Sequence, residues 1–94
     1  MKIEELRAKI DKIDDEILKK YIERISLTDE IGRQKALSGN DIFDPTREKE
    51  IINRLTELTD DFTLKEDITA LYSLIFSMSK CRQTNVKSGE NKDR

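Results

Sequence analysis

Apolar residues recur at steps of three and four along the first third of the chain. Ile3, Leu6, Ile10, Ile13 and Ile17 start the series, and Leu27 and Ile31 continue its register. This spacing predicts one amphipathic helix over residues 4 to 36. Neither proline nor glycine interrupts it before Gly32, whose cost of about 1 kcal/mol relative to alanine weakens the pattern near its end. At 1.5 Å per residue the helix would be about 50 Å long. A compact domain of about 100 residues has a radius of gyration near ~13 Å. Such a helix outruns what the other two thirds of the chain can cover, so it should project and pack against a partner.

Residues 37 to 43 form the clearest loop, with Ser38, Gly39, Asn40 and Asp41 as consecutive turn formers. Asp44 and Pro45 then suit the N-cap and first position of a second helix. That helix is predicted over 45 to 58, with Ile51, Ile52, Leu55 and Leu58 on its inner face. Thr59, Asp60 and Asp61 break the pattern. A third helix is predicted over 64 to 84, where Leu64, Ile68, Leu71, Tyr72, Ile75 and Met78 hold helical spacing. Residues 85 to 94 are polar and aperiodic and are expected to form a disordered tail. There is no internal repeat and no strand pattern, so the fold class is all-α with three helices.

Composition narrows the function. The chain has 94 residues, enough for one domain, and 35% are hydrophobic against 40% charged. The thin core this implies again favours burial against a second copy. Net charge is -2 with the signs interleaved. Without a basic block, no nucleic-acid partner is expected, and no membrane surface either. Acidic Glu4 and Glu5 stand where a signal peptide would be apolar, and no run approaches a membrane span. The single Cys81 excludes an intrachain disulfide and fits a reducing compartment, hence a cytoplasmic location. With no histidine in the sequence, a zinc site or a histidine-activated nucleophile is not expected.

The informative residues are polar ones at positions where burial is expected. At about 100° per residue the apolar stripe of the first helix centres near ~250°; Arg24 falls at about 240° and Lys35 at about 260°. Arg7, at about 340°, sits on the stripe's edge. A charge there needs an anion nearby. Acidic side chains could answer these cations, or their stems could snorkel to water. On the second helix, Glu48 shares the face of Ile51 and Ile52, and Arg47 borders it. Glu48 could pair with an arginine, and Asp44 could be only a cap. On the third helix, Ser79 and Gln83 extend the face of Ile75 at steps of four. A fraying helix end would also explain that pair. Together these residues make the inventory of a pocket for an anionic, hydroxylated small molecule. Arg7 and Arg24 are 17 residues apart, hence about 25 Å along one helix axis. If both serve one site, Arg7 must come from a second subunit with its first helix antiparallel.

The ordered set resembles the all-helical chorismate mutases. It comprises Leu6-Arg7, Ile10-Asp11, Ile13-Asp14, Glu23-Arg24, Ile31-Gly32, Lys35, Asp44-Pro45 and Arg47-Glu48, completed by Ser79 and Gln83. The resemblance covers roughly residues 3 to 84 and implies a chorismate mutase domain over 1–84. It implies an intertwined helical homodimer whose long first helices cross the dimer. The activity implied is the Claisen rearrangement of chorismate to prephenate, in aromatic amino acid biosynthesis, with no cofactor and no metal. By this resemblance Arg24, and Arg7 from the neighbouring subunit, bind the two carboxylates, and Ser79 assists. Lys35 and Gln83 stabilise the ether oxygen. Glu48 holds the ring hydroxyl with Asp44 beside it, and Arg47 orients Glu48. Ile31, Ile51 and Phe76 supply apolar walls. Two other readings stay open at this point. One is an isochorismate–pyruvate lyase on the same fold, against which Glu48 argues. The other is a non-enzymatic helical dimerisation module, which predicts acids paired with Arg24 and Lys35.

Overall fold

The computed structural model describes residues 1–41 and 43–88, with residues 84–88 described by their backbone only. These residues form three helices: α1 (Ile3–Ser38), α2 (Pro45–Thr56) and α3 (Phe62–Ser88). No strand occurs among the described residues.

Local chemistry sets each boundary. α1 passes Gly32 unbroken and stops at Gly39, which takes the left-handed conformation at φ +76°. There the N–H of Asn40 turns back to the carbonyl of Lys35 at 3.1 Å, satisfying an otherwise orphaned acceptor. Asp44 caps α2 as its sequence predicts, accepting the Arg47 N–H at 3.0 Å, with Pro45 in the first turn. α2 ends two residues before the expected 58. The N–H groups of Glu57 and Leu58 fold back onto Asn53 and Leu55. Leu58, expected on the inner face, therefore lies beyond the helix and is exposed.

Asp61 opens α3 by accepting the Leu64 N–H at 3.1 Å. At its other end α3 continues to Ser88 rather than stopping at 84. Residues 84 to 87 contain neither glycine nor proline, and the first breaker is Gly89. The expectation of a disordered tail from 85 is thus corrected for residues 85–88. Residues 89–94, and Ile42 of the expected loop, lie outside the described residues.

α3 is the spine of the fold. α1 and α2 each pack on it, while the backbones of α1 and α2 make no close approach to one another. α1 and α3 run in the same direction, as the pairs Arg24–Ser79 and Thr28–Gln83 require. At Gly32 they approach closely. A Cβ on Gly32 would lie 3.0 Å from Gln83 Cγ and 3.2 Å from its Cα. The ~1 kcal/mol that alanine gains over glycine in a helix cannot offset displacing a neighbouring backbone. Beside this contact, Arg82 grips Asp29 through two hydrogen bonds of 3.2 and 2.7 Å. Those bonds raise the arginine further above its ordinary pKa.

The core is small. Ile51, Ile75 and Phe76 are its buried apolar side chains. Every residue from 1 to 20 is exposed. Leu6, Ile10, Ile13 and Ile17 keep 45, 54, 53 and 61% of their surface in water, although they form the stripe that predicted burial. The radius of gyration is 16.7 Å, against about 12 Å for a compact chain of this length.

Candidate active site

The second half of α1, the start of α2 and the face of α3 enclose a cleft of about 410 Å³, within the usual size of a small-ligand site. Ten of the eleven residues expected at the site line it, and Arg7 does not.

α1 supplies Arg24 and Lys35, three turns apart on the cleft side. Arg24 is half-buried; its Nη1 donates to Ser79 Oγ at 3.0 Å, and its guanidinium lies 5.8 Å from the centre of the Phe76 ring. Both partners are neutral, and among the described residues no carboxylate pairs with Arg24. Its charge is therefore left uncompensated toward the cleft. Phe76 is itself steadied by an edge-on contact with Tyr72, ring centres 5.9 Å apart.

α3 supplies Gln83, which is buried at 7% exposure. Its Nε2 donates to the Thr28 carbonyl at 2.8 Å. That bond fixes the amide plane and leaves its second N–H and its oxygen for the cleft. The missing side chain of Gly32 makes this approach possible. Ser79 stands one turn earlier on the same face, and Ile31, Ile51 and Phe76 supply the apolar lining.

α2 presents Asp44, Arg47 and Glu48 to the cleft. Asp44 does so while capping the helix. Arg47 Nη1 lies 3.9 Å from Glu50 Oε1, three residues on. The cation on Glu48 is Lys80 of α3, with Nζ 3.2 Å from Oε2. The sequence reading missed Lys80, along with Leu27 and Thr28, which also line the cleft. Lys80 follows buried Phe76 by four residues, and that shared face was the available signal.

The lining holds four cations (Arg24, Lys35, Arg47, Lys80) and two carboxylates (Asp44, Glu48), a formal balance of +2. A second, larger cavity of about 710 Å³ adjoins it, between α1 from Ile13 and α3 from Leu71. Its walls are mainly apolar, among them Ile17, Leu18, Tyr21, Ile75 and Met78. Arg24 lines both cavities. Arg7 lies away from both, on the exposed part of α1.

An all-helical cleft with this charge balance and a fixed amide suits a small anionic ligand. The chain matches the type II chorismate mutases over residues 6–84 and belongs to that family. It is similar to the chorismate mutase of Methanocaldococcus jannaschii, with 34% identity over 95 residues that cover 99% of this chain and 96% of that protein. It is also similar to a bifunctional chorismate mutase/prephenate dehydratase of Aquifex aeolicus. That match has 41% identity over 56 residues, 60% of this chain and 16% of the longer protein. No solved structure matches significantly.

Proposed function

We propose that the cleft rearranges chorismate to prephenate in aromatic amino acid biosynthesis, and that the working unit is a homodimer. The observation that carries the reading is Arg24. It is half-buried, held by a hydroxyl and a ring, and faces a cleft that also contains Lys35, Gln83 and Glu48. A dimerisation module would have answered that charge with an acid.

In the rearrangement one carbon–oxygen bond breaks as one carbon–carbon bond forms within the same molecule. No nucleophile, proton or electron is taken from the protein. The residues have two tasks. The first is to fold the flexible side chain over the ring, which Arg24 and Ser79 serve by fixing a carboxylate. The second is to stabilise charge that gathers on the ether oxygen as the bond breaks. Lys35 and the amide of Gln83 serve there as preorganised donors. Glu48 accepts the ring hydroxyl beside Asp44, and that preference favours the mutase over an isochorismate–pyruvate lyase.

The second carboxylate is assigned to Arg7 of the partner subunit. Three features support the dimer: the bare stripe of α1, the apolar cavity beside it, and the continuity of that cavity with the active site at Arg24. A partner's α1 laid antiparallel in the cavity brings its N-terminal half toward Arg24. Each half-exposed leucine or isoleucine so covered contributes roughly 1 kcal/mol at about 25 cal/mol/Å². No helix among the described residues is long and apolar enough to cross a membrane, and the reading places the enzyme in the cytoplasm.

The test is loss of chorismate absorbance, with isochorismate as the parallel substrate, on wild type, Arg7→Ala and Arg24→Ala. Each variant alone should be nearly inactive. Mixed and re-equilibrated, they should regain about a quarter of wild-type activity, because half the dimers would carry one intact site. No recovery would remove the shared site, and no turnover by wild type would remove the mutase reading.

A further inference from the structure

The rearrangement leaves two charged residues of the cleft, Arg47 and Lys80, without a part, and of these Lys80 reaches Glu48. Lys80 lies on α3 between Ser79 and Cys81, with 36% of its side chain exposed. Its Nζ sits 3.2 Å from Glu48 Oε2 and 4.5 Å from the centre of the Phe43 ring. Phe43 belongs to the connection leading into α2, so Lys80 joins three pieces of the fold at the rim of the cleft. Among the described residues its ion pair with Glu48 is the one polar side-chain link between α2 and α3.

Charge makes this link consequential. Glu48 is 26% exposed, so its negative charge is only partly screened. A dianion entering the cleft meets that charge at close range. Left alone, the carboxylate would oppose the ligand that Arg24 and Lys35 attract. It also has to present an oxygen at a fixed place to accept a hydroxyl. Lys80 touches Oε2; no donor among the described residues engages Oε1, which remains for the ligand.

Resting on the mutase reading above, we propose that Lys80 is a positioning residue for Glu48. It cancels the carboxylate's repulsion of the dianionic substrate and holds Oε1 toward the ring hydroxyl, itself braced by the ring of Phe43. Lys80 acts through Glu48 and does not touch the substrate. Removing the cation strands the carboxylate's charge in a partly desolvated site, so the effect falls on binding.

The experiment is a cycle of Lys80→Met, Glu48→Gln and the double variant, with Lys80→Arg alongside, each assayed on the full chain for kcat and KM with chorismate and for melting temperature. Lys80→Met should raise KM about tenfold, with kcat within about threefold and the melting temperature little changed, as for a half-exposed pair. Lys80→Arg should stay near wild type. In the Glu48→Gln background, where the acceptor is neutral, Lys80→Met should change KM by less than about twofold. An equal KM rise in both backgrounds would mean that Lys80 binds substrate itself and would overturn the proposal. So would an unchanged KM in Lys80→Met, or an arginine variant as impaired as the methionine one. Lys80→Gln supplies the same contrast should the methionine variant fail to fold. Wild-type turnover is the control that separates this proposal from the mutase reading, which would fail first if that turnover were absent.

Discussion

The two halves of α1 share one apolar register but not one environment. Residues 3 to 20 carry Leu6, Ile10, Ile13 and Ile17 on a single face, and that face is open to water. Residues 21 to 38 meet α3 through Tyr21, Arg24, Thr28, Asp29 and Gly32. The second half buries polar groups in defined pairs. The first buries nothing within its own chain. Regular apolar spacing therefore marks a surface to be covered but leaves the covering chain unnamed. The polar residues that interrupt the stripe, Arg24 and Lys35, line the cleft.

The contrast can be broken first on the bare half. Ile13→Asp with Ile17→Asp should leave an isolated chain's helices intact, since both positions are exposed. In the dimer those charges would be buried without partners. We expect monomers by light scattering and activity reduced to background. A dimer of full activity would show the first half to be a solvent face after all. On the packed half, Lys35→Ala should lower kcat by about 10²-fold or more, as for removal of a single oxyanion donor. An unchanged kcat would take Lys35 out of the site.

Gln83→Glu refines the picture. An amide donates at any ordinary pH, whereas a carboxyl donates only when protonated. Activity of this variant should be low at neutrality and rise as pH falls, and burial should carry the new acid's titration above the usual carboxylate range. A flat profile would contradict the donor role. The smallest effect is expected at Gly32. Gly32→Ala must push Gln83 away by a few tenths of an ångström, and kcat should drop about tenfold with KM nearly constant, since near-attack geometry is sensitive to small displacements. A gain in stability without that loss would show that α1 and α3 adjust freely.

Much of this was legible in the sequence because helix period and capping are local. Asp44 and Pro45 predict the start of α2, and the structure agrees to the residue. Arg24, Lys35, Glu48, Ser79 and Gln83 could be selected because each is polar at an apolar register position. What was missed depends on contacts between elements. Lys80 reads as an ordinary surface lysine until α2 brings Glu48 against it. Gly32 counted against the helix, because propensity does not register that α3 needs the space. The expected end of α3 at 84 falls short of Ser88 because a polar segment can continue a helix as well as end it.

The separation of α1 from α2 has a thermodynamic side. Both helices lean on α3, and the cleft occupies the place where a third helix–helix interface would be. A molecule bound to Arg24 and Lys35 on one wall and Glu48 on the other acts as that interface. Folding and binding are then linked: a ligand at a hundred times its Kd adds about 2.7 kcal/mol to the folded state. A substrate held there would be, for as long as it stayed, a part of the protein's core.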